Sequence, residues 1–205
     1  MAGKKTSGHI TRAKIIEKSF KLFCMKQYDR VTYTEIERAT DLRRGSILYH
    51  FKTKQELFEA VVETMLLNWS AALDVPMPEG DMLKNFIEKF VDNCTTMKKT
   101  AAAQGIKNIH LAYYTIENAA FCNFNDFDKR LRQTRDVENR IWTNVLTRAI
   151  EKKEIDDTVE PEIFARLFMN IYYGYVYSSI RDIDGGNICL LREDLFALYN
   201  RIKKK

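Results

Sequence analysis

Val31–Phe51, VTYTEIERATDLRRGSILYHF, reads as two short helices joined by a tight turn. Thr32 followed three residues later by Glu35 has the spacing of a capping box, in which each side chain satisfies an otherwise orphaned N–H at a helix start. Ile36 and Ala39 then share one face of the first helix, and Asp41 ends it. At roughly 100° per residue, the second helix gathers Ile47, Leu48 and Phe51 on one side. Gly45, Ser46 and Tyr49 point the opposite way, with His50 on the flank and Arg43, Arg44, Lys52 and Lys54 close by. A short helix that is apolar behind and hydroxyl-bearing and cationic in front has the pattern of a major-groove reader of DNA.

Charge agrees with that pattern. Residues 1–54 carry 13 Lys/Arg against 5 Asp/Glu, a net of +8, whereas the remaining residues carry 20 against 23, a net of −3. A basic head on a mildly acidic body suits a polyanion-binding module joined to something else. With 205 residues and 45% hydrophobic content the chain can bury a core, and 3 Pro and 8 Gly leave little room for long linkers. No stretch reaches the length and apolarity of a membrane span, and the start MAGKKTSGHITR lacks the apolar core of a secretory signal. Cys24, Cys94, Cys122 and Cys189 have no paired spacing. They suit reduced thiols, so a cytoplasmic, nucleoid-associated location is expected.

Strand patterns are nearly absent, and an all-α fold is expected. Ile15, Ile16, Phe20, Leu22 and Phe23 recur at helical steps over Ile10–Met25, completing a three-helix head. A fourth helix, about 54–72, has apolar residues on more than one face, including Leu57, Phe58, Val61, Val62, Met65, Leu66 and Trp69. It is expected to link a head of residues 1–54 to a body of residues 55–205. Pro76, Pro78 and Gly80 mark a break. Further helices are expected at about 81–98, 101–112, 114–124, 127–153, 162–182 and 190–202, with Pro161 at a helix start and Asp184-Gly185-Gly186 as a stop. Three His, at 9, 50 and 110, form no metal-ligand spacing. Neither a nucleophile elbow nor a phosphate-binding glycine loop is present, so no enzyme, metal or cofactor is expected.

The first 60 or so residues resemble the head of the TetR family of bacterial transcriptional regulators. The resemblance lies in Arg12-x-x-Ile15-Ile16 and Leu22-Phe23, in Tyr28, Thr32 and Ile36, and in the run Gly45-Ser46-Ile47-Leu48-Tyr49-His50-Phe51-Lys52-Thr53-Lys54-Gln55-Glu56-Leu57. Three positions depart from the family pattern. Asp41 stands where glycine is usual and must meet a left-handed backbone. Arg43 replaces a small hydroxyl cap and cannot cap in that way. Leu48 stands where an aromatic is common.

The resemblance implies a helix-turn-helix DNA-binding head and a C-terminal helical domain for ligand binding and dimerisation, together a repressor released from a palindromic operator by a small effector. It places Thr32, Tyr49 and Lys54 at phosphates, and Arg44, Ser46 and His50 near base edges or the adjoining backbone. Arg43 and Lys52 are further candidates by charge and position. The helices at 127–153 and 162–182 resemble the family's dimerising pair, which points to Val137, Ile141, Val145, Leu167, Ile171 and Gly174 as interface with a second copy. Gly174 admits two readings, close approach of a partner backbone or a merely tolerated helical glycine.

The aromatics of the body also admit two readings. Residue by residue they are core; as a group with polar anchors they could line a pocket for an apolar or aromatic effector. The residues in question are Met65, Trp69, His110, Tyr113, Asn118, Trp142 and Tyr173. The rival to an effector-released regulator is a DNA-bound dimer that recruits a protein partner, without any small-molecule inducer.

Overall fold

The computed structural model describes residues 2–67 and 82–204, with side-chain surroundings from residue 8 onward. Among these residues the named elements are all helical, joined by one isolated antiparallel bridge between Ile155 and Lys203. The α-helices are α1 (Ala2–Met25), α2 (Tyr33–Thr40), α3 (Arg44–His50), α4 (Lys54–Val62), α5 (Met82–Ala103), α6 (Ile109–Asn123), α7 (Phe127–Glu151), α8 (Pro161–Ser179) and α9 (Ile188–Ile202). A single 3-10 turn, Tyr28–Arg30, precedes α2, and α4 passes into a five-residue π-helix, Glu63–Leu67. The described residues divide into two compact units: those of 1–69 with 112–130, and those of 70–111 with 131–205.

The first unit is built around α1. Ile15, Ile16, Phe20 and Phe23 are buried, as are Ile36 of α2, Ile47 and Phe51 at α3, and Leu57, Phe58, Val61 and Val62 of α4; α1 packs on α2 and α4, and α3 on α2. Phe23, Tyr28 and Phe58 form a ring cluster with centroids 4.8–6.0 Å apart. Tyr113 of α6 lies 5.9 Å from Phe20, and burial pushes its phenol up to about 12. Helix α1 begins about two turns earlier than its apolar spacing suggests, because Ile15 is the first fully buried residue while Ile10 is 66% exposed. Apolar periodicity reports burial, whereas the helix extends wherever hydrogen bonding continues.

The second unit centres on rings. Trp142 is fully buried, stacked on Phe168 at 5.0 Å and met edge-on by Phe86 at 4.7 Å and Phe90 at 5.4 Å. The three helices expected at 81–98, 101–112 and 114–124 are instead two: α5 continues to Ala103, and α6 runs from Ile109 to Asn123. The stop of α5 is Gly105, at φ 81°, where Ile106 N donates to Ala101 O and Gly105 N to Ala102 O, the paired bonds of a Schellman ending. Asn108 then accepts from Leu111 N with its Oδ1, while its Nδ2 donates to the carbonyls of Ser179, Ile180 and Asp182 at the C-terminal end of α8.

Pro161 takes the first turn of α8, as expected. After α8, Gly185 and Gly186 both adopt positive φ, and a Cβ on Gly186 would lie 2.1 Å from Ser179 Oγ. The turn after α7 reaches two other helices. Glu154 accepts from Leu83 N and Lys84 N at the start of α5, both at 2.9 Å, and its carbonyl accepts from Lys204 N, while Asp156 N donates to Ile202 O. Residues 68–81, with Trp69 and the Pro76–Gly80 break, lie outside the described residues.

Candidate nucleic-acid interface

Each helix of the reading element is anchored at its start, by different means. Thr32 caps α2: Glu35 N donates to Thr32 Oγ1 at 3.3 Å, and Thr32 N and Oγ1 donate to Glu35 Oε2 at 3.0 and 3.1 Å. The Lys26 ammonium pairs with the same carboxylate, and with the Thr32 bonds it holds Glu35 down at about 2. Asp41 takes the left-handed conformation, φ 55°, that its position in the turn requires.

Arg43 precedes α3 without a side-chain cap, and a carboxylate from the preceding helix takes over. Arg44 N donates to Glu37 Oε1 at 2.6 Å, a charge-assisted bond at the positive end of α3. The Arg44 guanidinium lies 4.6 Å over the ring of Tyr33, the first residue of α2. Glu37 and Tyr33 carry no signal in the sequence, because the pairing spans seven residues across a turn in one case and eleven in the other.

Behind this surface, Ile47 and Phe51 are fully buried and seat α3 on the head; Arg12 lies 4.9 Å over the Phe51 ring. In front, Arg43, Arg44, Gly45 and Ser46 are exposed, and Tyr49 is 83% exposed, with the His50 ring edge-on at 5.2 Å. Leu48 is half-buried rather than enclosed. Lys52 is exposed, its amide donating to Glu56 Oε2, while Thr53 caps α4 by accepting from Glu56 N. Arg43, Arg44, Ser46, Tyr49 and Lys52 thus share one free, cationic and hydroxyl-bearing surface.

Lys54 differs from them. Its Nζ donates to the carbonyls of Tyr28 at 3.0 Å and Val31 at 3.2 Å and sits 4.4 Å over the Tyr28 ring. Two of its three ammonium hydrogens tie α4 to the loop before α2. Thr32 is similarly committed, since both its amide and hydroxyl hydrogens go to Glu35.

The residues expected to line a pocket are divided between the units. Met65, Tyr113 and Asn118 belong to the first and His110, Trp142 and Tyr173 to the second. Asn118 is exposed and Met65 half-buried. Trp142 is core, yet its buried Nε1–H meets no acceptor among the described residues. His110 is buried with its ring edge-on to Tyr175 at 5.5 Å, and burial, with Lys98 nearby, holds it down at about 4. Tyr173 donates to the buried Glu138 carboxylate; burial, then that charge, drives its phenol far above the usual range. Two clefts open on the second unit, one of about 670 Å³ beside Lys98 and Arg181 and one of about 380 Å³ between Arg140 and Arg166, both lined mainly by charged and polar residues.

The expected dimer residues also separate. Val145 is buried in its own chain, and Val137 and Ile141 are half-buried. On α8 an apolar row stays accessible: Ile163 is 38%, Leu167 41% and Tyr177 63% exposed, with Ile171 and Gly174 between them. A Cβ on Gly174 would meet nothing within 4 Å, so no atom of this chain requires glycine there.

The comparisons with known proteins agree with this geometry. Residues 15–61 match the family model described as bacterial regulatory proteins, tetR family. The negative transcriptional regulator IcaR of the biofilm operon icaADBC, from Staphylococcus epidermidis, is 34% identical over 50 residues, 24% of this chain and 27% of its own length. The chain therefore aligns with about a quarter of that relative. Among solved structures, a TetR transcription regulator from Haloarcula marismortui is 14% identical with a TM-score of 0.74, covering 96% of this chain and 100% of that one. SmeT in complex with triclosan is 17% identical with a TM-score of 0.72, covering 96% and 93%. A TetR-family regulator from Agrobacterium tumefaciens is 16% identical with a TM-score of 0.66, covering 96% and 100%. Residues 15–61 thus carry a sequence match to the tetR family model, and the chain as a whole shares the fold of these TetR-family structures.

Proposed function

We propose that this chain is a DNA-binding transcriptional repressor that grips a palindromic operator as a homodimer and leaves it when a small apolar or aromatic effector binds the body. The observation that carries the reading is the surface of α3: two buried apolar anchors behind, and exposed Arg43, Arg44, Ser46 and Tyr49 in front. Arginine can fork onto guanine, and lysine and hydroxyl groups hold phosphates. The negative regulation in IcaR's description supports repression, and the triclosan held by SmeT supports a small aromatic effector. The orphaned Trp142 indole N–H supplies a buried donor that such a molecule could satisfy. The accessible α8 row around Gly174 suits a two-fold interface, and two heads on one axis suit a palindrome.

The test is a palindromic duplex selected by the protein from a random library and titrated by fluorescence anisotropy. Affinity is expected to exceed that for a random duplex and to fall steeply with salt. Gly174→Leu is expected to yield monomers by light scattering and to lose most operator affinity. Equal, salt-insensitive affinity for both duplexes would remove the reading, and a Gly174→Leu dimer would move the interface elsewhere.

A further inference from the structure

We infer that Tyr33 is a specificity-positioning residue, holding the Arg44 side chain poised to read a base while Glu37 fixes the same residue through its backbone. The role rests on the DNA-binding reading above. Arg44 is exposed, and no acceptor among the described residues meets its guanidinium, whose central carbon lies 4.6 Å over the Tyr33 ring. A guanidinium held over a ring spends no N–H on an acceptor there and keeps its N–H edges available. Those edges are what a bidentate contact to guanine O6 and N7 needs.

Lys54 over Tyr28 is the internal contrast: the geometry is similar, at 4.4 Å, but that cation also binds two carbonyls. The Arg44 pair instead combines a ring beneath the cation with free donors at its rim, on the exposed face of α3. The platform is itself rigid. Tyr33 is the first residue of α2, directly after the Thr32–Glu35 box, and Glu37 one turn later binds Arg44 N at 2.6 Å. A long side chain restrained at both ends loses less freedom on docking.

The probes are the selected palindrome and a random duplex of equal length, each titrated with the full chain at several salt concentrations. Tyr33→Phe keeps the ring face and is expected to retain the selected-to-random affinity ratio. Tyr33→Leu is expected to lower that ratio about two- to fivefold, the worth of an exposed cation–π contact. Its salt slope should stay unchanged, because no phosphate contact is lost. The loss should vanish in an Arg44→Ala background. Arg44→Lys, which keeps the charge without the planar fork, should lose the ratio at least as strongly and covers the case of a poorly folded Tyr33→Leu. Equal losses on both duplexes, or an undiminished loss in the Arg44→Ala background, would overturn the role. A wild type that binds no duplex would instead overturn the DNA-binding reading, and the role with it.

Discussion

The head and the body use polar side chains in opposite ways. Around the reading helices of the head they lie at or near the surface and hold one another: Lys26 and Thr32 with Glu35, Glu37 and Tyr33 with Arg44, Thr53 with Glu56. In the body they are buried and hold helices: Asn108 grips three carbonyls at the C-terminal end of α8, Glu138 accepts from Tyr173, and His110 packs on Tyr175. Replacing a polar group in the head should therefore alter binding more than folding. In the body the order should reverse.

The sharpest way to break that contrast is a pair of glycines. Gly186→Ala puts a Cβ 2.1 Å from the buried Ser179 Oγ at a φ of +79°, so a loss of about 2–4 kcal/mol in unfolding free energy is expected. Gly45→Ala, exposed in α3 with nothing within 4 Å of the new Cβ, should instead gain roughly 0.5–1 kcal/mol. Thermal and urea melts of the two variants decide it, and comparable destabilisation would erase the distinction.

Next in size is a pH effect confined to the body. His110 sits at about 4 when folded against an ordinary value of 6.5, so its ring stays neutral in the fold while the unfolded chain takes up a proton. The stability from the neutral ring is fully present above about pH 6.5 and is lost as pH falls towards 4. The loss is about 3 kcal/mol. His110→Gln should flatten urea-derived stability against pH in that window; an unchanged profile would assign the drop to other groups.

The smallest effect separates two neighbouring lysines. Lys52→Ala should lower the salt slope of duplex binding by about one unit at constant melting temperature, as expected for an exposed phosphate ligand. Lys54→Ala removes donors to Tyr28 O and Val31 O, so about 1 kcal/mol of stability should go as well. Unchanged melting in Lys54→Ala would mean that those carbonyl bonds contribute nothing net.

The head was legible because its signals are local. Thr32 and Glu35 are three residues apart, Ile47 and Phe51 four, and each spacing has one geometric meaning on a helix. Glu37 and Tyr33 were not legible, since nothing in a one-dimensional pattern brings a carboxylate or a ring onto the start of the next helix. The body's helices are legible as elements, but a helix expected over 101–112 runs straight through Gly105, whose left-handed turn ends α5. Lys54 shows the reverse difficulty: its type and place suggest a phosphate ligand, and only the structure reveals the carbonyls it holds. Burial decided the aromatics, making Trp142 part of the core while leaving its N–H unmatched.

The turn after α7 has a consequence for the order in which the chain matures at the ribosome. Glu154 anchors the start of α5, yet its own carbonyl is held by Lys204, and Asp156 is held by Ile202. Helix α5 also packs on α9. A nascent chain can assemble α1–α4 early from contacts near in sequence. The body must wait until residues 202–204 have emerged before this turn can lock. Until then its ring cluster around Trp142 is the surface most in need of shielding from premature association.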